Sequence, residues 1–286
     1  MAAENEHGAL PKLDNVILGY KYLMRKPGKN FWAVFLPLHI LGAVGLWFLP
    51  GYWTWLLFFW FTVGVVGNGV AGHRYFAHGQ FETYTPVRWV LGFLTTLGGV
   101  GPATDWRIQH KMHHLRADQY NDPHSPYYSS RFHVFYGWYI FQHKGRGYLT
   151  ERFARKMAVA QMRDSFYRFF DRNHYRIIFA FCAALAVVNY HLLLMYALAV
   201  SIDFFRLGAV NWWCHRSGYR NHETQDHSTN NVWLGILGMG FGWHNNHHAS
   251  PGKLVLTERW WEIDVEGYIG RLLSIPQAAK KYPGVQ

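Results

Sequence analysis

Between Phe31 and His73 the chain carries no Asp, Glu, Lys or Arg. The run breaks once, at Leu49-Pro50-Gly51-Tyr52, into two apolar stretches of about 20 residues, each long enough to carry a helix across a bilayer core. Pro-Gly supplies a turn signal there, and Trp53 and Trp55 beside it suit a membrane interface. A second uncharged run extends from Ile177 to Ile202 and is broken by Asn189-Tyr190-His191. Extended to about Asn173 and Asn211, it predicts two further crossings. Asp203 and Arg206 then fall inside the last one, at a spacing that permits them to pair, and both are read as structural. A third apolar stretch, Val87 to Thr104, is rich in glycine and begins beside Arg88, which predicts an interfacial or re-entrant helix.

Half of the 286 residues are hydrophobic and 19% are aromatic, which excludes a disordered chain. The net charge is +11, and its placement matters more than its size. The N-terminal segment has no cleaved-signal pattern and carries Lys21, Arg25, Lys26 and Lys29 just before the first crossing, while the two short turns hold no Lys or Arg. Both termini and the large polar segments are therefore expected in the cytoplasm, the chain lying in an inner or plasma membrane. Two cysteines, Cys182 and Cys214, are too few for a disulfide framework and fit plain thiols in a reducing compartment. The expected architecture is an all-α integral membrane protein with four transmembrane helices and a cytoplasmic helical cap. Its parts are an N-terminal segment 1–30, a hairpin 31–72, a cytoplasmic part 73–172, a second hairpin 173–210 and a C-terminal part 211–286.

The chemistry is carried by histidine. Nine of the 18 fall in four short groups: His73 and His78; His110, His113 and His114; His215, four residues after Asn211; and His244, His247 and His248. In His-x-x-His-His, positions i, i+3 and i+4 share a helix face, so three imidazoles can point at one region. Neutral imidazole suits iron, zinc, copper or nickel. Nine exceed what one ion can ligate, which favours two metals. The five-residue step from His73 to His78 is far from one face of an α-helix, so one of that pair is expected beyond a helix end. Ligands of one centre must share a side of the membrane, which demands an even number of crossings between groups and agrees with four. The other nine histidines lack such spacing and are read as structural. Asp122 and His124 closely follow the second group, and with Asp118 and Asp105 they are candidates to stand behind the ligands and orient them.

These residues resemble the membrane fatty-acid desaturases, in the branch of the stearoyl-CoA-type Δ9 acyl-CoA desaturases, over about residues 60 to 265. The matching elements are His73-x4-His78 and His110-x2-His113-His114 with Asn121-Asp122-Pro123-His124-Ser125-Pro126. Further along come Asn211-x3-His215, Gly218-Tyr219-Arg220, Asn230-Asn231-x-Trp233, Gly242-Trp243-His244-Asn245-Asn246-His247-His248 and Trp260-Trp261-Glu262-Ile263-Asp264. The resemblance implies that these nine histidines hold two irons, with Asn211 reaching one through water. It also implies O2-dependent removal of two hydrogens from a fatty acyl chain on coenzyme A, acyl carrier protein or lipid. It implies an external electron donor of the ferredoxin, rubredoxin or cytochrome b5-like kind, and Trp106 lining the acyl passage. No separate acid or base is implied, because methylene C–H bonds have no useful acidity. One departure stands out: bacterial relatives place Glu where this chain has Phe241.

Two other readings share part of this pattern. A related di-iron membrane hydroxylase of alkyl or acyl chains would use the same histidines. A zinc hydrolase or metal transporter would need fewer. The basic residues Lys144, Arg146, Arg152, Arg155, Lys156, Arg163, Arg168, Arg172 and Arg176 read either as ordinary cytoplasmic-side charge near acidic lipid or as a docking surface for an acidic partner. Because this charge flanks membrane helices, nucleic acid is not an expected partner.

Overall fold

The computed structural model describes residues 28–120, 122–141 and 152–275. Lys21, Arg25, Lys26, Asn121, Lys144, Arg146, His7 and His143 lie outside the described residues, as do the side chains of Arg152 and Arg155. The described residues are helical, joined by loops, with isolated bridges at Tyr219–Asn230 and Asn230–Trp243 but no strand among them.

Two helical stretches, Phe31–His78 and Ser165–Trp213, are long and apolar enough to cross a membrane. Neither is straight. Gly45 abuts Leu194 so closely that a Cβ would lie 2.8 Å from the Leu194 carbonyl oxygen, while the Phe59 ring meets Tyr196 edge-on at 5.8 Å. Residues 45 and 59 would be about 21 Å apart on a straight helix, so the chain doubles back between them. Its break is Tyr52, with φ −132° and ψ 15°. The helix runs through Pro50 and reverses at the last residue of the expected Leu49-Pro50-Gly51-Tyr52 break. Phe181 and Tyr196, 15 positions apart, likewise have ring centroids 5.1 Å apart, across a break at Asn189. Tyr52 stacks on His191 at 4.4 Å, so the two bends meet at one end of the bundle.

Small residues let the hairpins approach, as membrane helix pairs require. Gly45→Leu is expected to force the crossing apart and cost about 1–3 kcal/mol, read as a lower unfolding midpoint in detergent. An unchanged midpoint would show that the crossing is loosely packed.

The helix Thr85–Leu97 lies alongside these legs. Gly92 packs on Phe166 and Phe170, and Tyr196 donates its hydroxyl to Leu97 O at 2.7 Å. The chain then turns through Gly99 (φ 75°) and Gly101 (φ 98°), a conformation open to glycine. His78 before this excursion and His110 after it have Nε2 atoms 2.7 Å apart, so the segment returns to the end from which it left. Trp89, Val90 and Phe93 are exposed on its outer face.

A buried ionic network ties the hairpins to the C-terminal helix Val265–Leu273. Arg206 donates to Asp203 at 2.7 Å and to Glu266 at 2.9 Å. Arg74 pairs with Asp264 at 2.7 Å, and Asn68 donates to Asp203 at 2.6 Å. Asp203 and Arg206 do pair, and their further side-chain partners, Asn68 and Glu266, lie on the first long helix and the C-terminal helix.

Candidate metal centre

His73 and His78 end the first long helix. From Trp60 to His78 that helix is wound with i→i+5 hydrogen bonds, at about 4.4 residues per turn instead of 3.6. A five-residue step then returns near the same face, and the two rings sit 4.9 Å apart. Both residues are inside the helix. The expectation that one lies past its end is incorrect, because it assumed α-helical winding. Gly79, with φ 64°, terminates the helix immediately afterwards.

His110, His113 and His114 come from the helix Ala103–Arg116, His215 from just beyond Trp213, and His244, His247 and His248 from the helix His244–Ala249. These nine divide into two adjoining groups. His73, His78, His110, His114 and His247 form one, and His113, His215, His244 and His248 the other; within each group the nitrogens lie within 4.8 Å of one another. The groups touch: the rings of His114 and His248 are 4.4 Å apart. Each His-x-x-His-His helix contributes its i and i+4 imidazoles to one group and its i+3 imidazole to the other.

The donor set fits metal ions. His247 Nε2 lies 3.1 Å from His73 Nε2 and 3.0 Å from His114 Nε2, and His215 Nε2 is 3.0 Å from His244 Nε2. The Nε2 atoms of His113 and His248 are buried with no hydrogen-bond partner. Several converging lone pairs satisfy one another poorly and a cation well. Burial holds His110, His114, His244 and His247 well below the usual imidazole range and brings His248 down to about 4. These rings are therefore neutral at physiological pH, the form that binds metal.

Carboxylates orient three members of the second group. His113 Nδ1 donates to both Asp122 oxygens at 3.0 Å, His215 Nδ1 to Asp118 at 2.8 Å, and His248 Nδ1 to Asp226 at 2.7 Å. Each bond leaves Nε2 as the free lone pair. Burial alone would raise the Asp122 and Asp226 carboxyls, yet the imidazoles beside them, with backbone amides, hold both well below the usual carboxylate range. Burial lowers His113 too, but Asp122 more than offsets it and the net shift is upward. His124 lies beside this pair, its ring 4.3 Å from His113 and its backbone N–H donating to Asp122. Asp105 occupies the first turn of the histidine helix.

The residues between the histidines build the frame. Asn230 Oδ1 accepts the backbone N–H groups of Asn245 and Asn246 at the start of the helix His244–Ala249. Asn246 donates to Glu262 at 2.9 Å, and Trp243, fully buried, donates to Ile263 O. A Cβ on Gly235 would meet the Trp243 ring at 2.3 Å, so only glycine fits there.

Phe241 sits between His73, at 4.9 Å, and the Arg206 guanidinium, at 4.8 Å. Trp106 stacks on His110 at 5.7 Å. Asn211 is half-buried one turn before His215. Among the remaining histidines, His39 donates to Phe35 O, His133 to Pro123 O and His191 to Asn189. Asp226 escaped the sequence reading. It lies in an irregular loop, 22 positions before His248, and no local spacing marks it.

The fatty acid desaturase family model matches residues 51–262. The chain is 32% identical over 246 residues to an acyl-CoA C20 Δ5-desaturase of Anemone leveillei, covering 83% of this chain and 76% of that protein. It is 32% identical over 261 residues to an sn-1 stearoyl-lipid 9-desaturase of Anabaena variabilis, covering 84% and 88%. Against an icosanoyl-CoA 5-desaturase of Limnanthes douglasii the identity is 28% over 270 residues, covering 88% and 74%.

Proposed function

The chain belongs to the fatty acid desaturase family, and on that premise we propose that it inserts a double bond into a fatty acyl chain at a histidine-held pair of iron ions. The carrying observation is the convergence of nine buried or half-buried imidazoles into adjoining groups of five and four. The bound irons supply oxidation by O2, with two electrons from an external donor. The balance is one –CH2–CH2– unit, O2, two electrons and two protons giving one –CH=CH– unit and two waters.

The protein's own groups bind and orient. His73, His78, His110, His114 and His247 would hold one ion, and His113, His215, His244 and His248 the other, with Asn211 reaching one of them through a water. Asp122, Asp118 and Asp226 fix the tautomer and tilt of their imidazoles, and His124 packs behind His113. Trp106, buried beside His110, lines the acyl chain's path and helps exclude water. No side chain acts as acid or base on the substrate, whose C–H bonds are not acidic. The four legs cross the membrane, Thr85–Leu97 enters it and returns, and both termini and the metal centre face the cytoplasm. Trp47, Trp53, Val187 and Tyr190, exposed near the bends, support lipid contact at that end. The acyl group arrives on coenzyme A, on acyl carrier protein or in a membrane lipid.

Fatty acids from a host expressing the chain provide the test. A product lighter by two hydrogens supports desaturation, and one heavier by an oxygen supports hydroxylation instead. Elemental analysis of the purified protein separates the zinc reading, which requires zinc where two irons are expected.

The proposal includes an external electron donor, and Lys156, Arg163, Arg172 and Arg176 are exposed near the start of the second hairpin. Reversing charge at Arg155 and Lys156 is expected to slow turnover with the physiological donor several-fold at low salt, and less at high salt. Equal rates at low salt would remove this surface from donor docking.

A further inference from the structure

Resting on the two-metal reading, we infer that the two ion positions are unequal: the four-histidine position binds its ion more tightly, fills first and empties last. The asymmetry lies in what stands behind the imidazoles. Three of the four, His113, His215 and His248, donate Nδ1–H to Asp122, Asp118 and Asp226. In the five-histidine group, the Nδ1 atoms of His73, His78 and His247 are buried without a hydrogen-bond partner among the described residues. The ring of Phe241 meets His73 edge-on at 4.9 Å and also lies 4.8 Å from the Arg206 guanidinium.

A carboxylate on Nδ1 raises the electron density at Nε2, locks the ring, and brings negative charge close to the bound cation. Loss of such a partner typically weakens metal binding by roughly 10–100-fold. Three such supports outweigh the one extra neutral donor of the other group. The cations near His73 are themselves paired, Arg206 with Asp203 and Glu266 and Arg74 with Asp264, so they neither support nor strongly oppose an ion there.

The test uses the full chain, metal-loaded as purified in detergent, challenged with graded chelator while ions per chain are counted by elemental analysis. The wild type is expected to release its ions in two steps separated at least about tenfold in chelator concentration. Asp226→Asn keeps the oxygen that accepts from Thr224 and Ser228 and loses the acceptor for His248. It is expected to shift only the harder step, by roughly 10–100-fold towards easier release. The unshifted first step reports an intact fold, and Asp118→Asn serves as an independent variant with the same expectation. Release in one step, or a shift confined to the easier step, would overturn the inference while leaving two metals in place. Fewer than two ions in the loaded wild type would overturn both this inference and the two-metal reading.

Discussion

Replacing His247 with alanine is expected to lower turnover by at least about a thousandfold, equivalent to ~4 kcal/mol of barrier, and to leave roughly one metal ion per chain. His247 is the five-histidine group's only member from the helix His244–Ala249, and its Nε2 lies 3.1 Å from His73 and 3.0 Å from His114. Without it, imidazoles from the first long helix and from Ala103–Arg116 lose the ligand that joins them to the third element. The helix itself should survive. It is held by Asn230 at its start and by Asn246 to Leu256 O and Glu262, none of which involves the imidazole. The measurement pairs product formation and elemental analysis with a thermal melt in detergent. Full turnover with two ions retained would remove His247 from the ligand set.

The largest stability effect is expected at Arg206, where methionine keeps much of the volume and removes the charge. The guanidinium is buried, donates to Asp203 and Glu266, and reaches the carbonyls of Gly64 and Gly238. Arg206→Met would leave two buried carboxylates without their main partner. Glu266 is already pushed up to about 7 by burial, despite Arg206 and Arg74, and would take up a proton at neutral pH. Among the described residues, Asp203 would retain its hydrogen bond from Asn68 alone. Breaking a buried pair from one side costs about 3–5 kcal/mol, or on the order of 10 °C in midpoint for a domain of this size. A midpoint within two or three degrees of wild type, by a melt in detergent, would mean that water reaches the network. Since Arg206 also lies on Phe241, which packs on His73, loss of the easier-released metal should accompany the lower midpoint.

Much of the site was legible because metal binding imposes local rules. Imidazoles at i, i+3 and i+4 must share a helix face, and those spacings marked six of the nine clustered histidines; His73 and His78 stood out as a close pair and His215 by its place after Asn211. The uncharged runs were legible for a similar reason, since a bilayer demands length and apolarity of each segment by itself. Less was visible where geometry departs from the local default. The i→i+5 winding from Trp60 to His78 changes which face His78 occupies, and nothing in Trp60 to Gly79 announces it. The break at Tyr52 falls within the expected Leu49–Tyr52 turn, but its packing on His191, a contact 139 positions away along the chain, had no local signal. Asp226 had no signal at all, because its role depends on a loop being folded against His248.

By itself, then, the sequence determined which segments are apolar enough for lipid, that imidazole chemistry dominates, and that more ligands exist than one ion can use. Tertiary structure alone decided the partition into five and four, the alternation by which each histidine helix serves both groups, and the recruitment of Asp226 beside the already legible Asp118 and Asp122. The physical reason is range. Hydropathy and helical spacing are properties of neighbours along the chain. A ligand's destination instead depends on the angle at which helices from residues 103–116 and 244–249 cross, which is set by contacts such as Arg74 with Asp264, 190 positions apart.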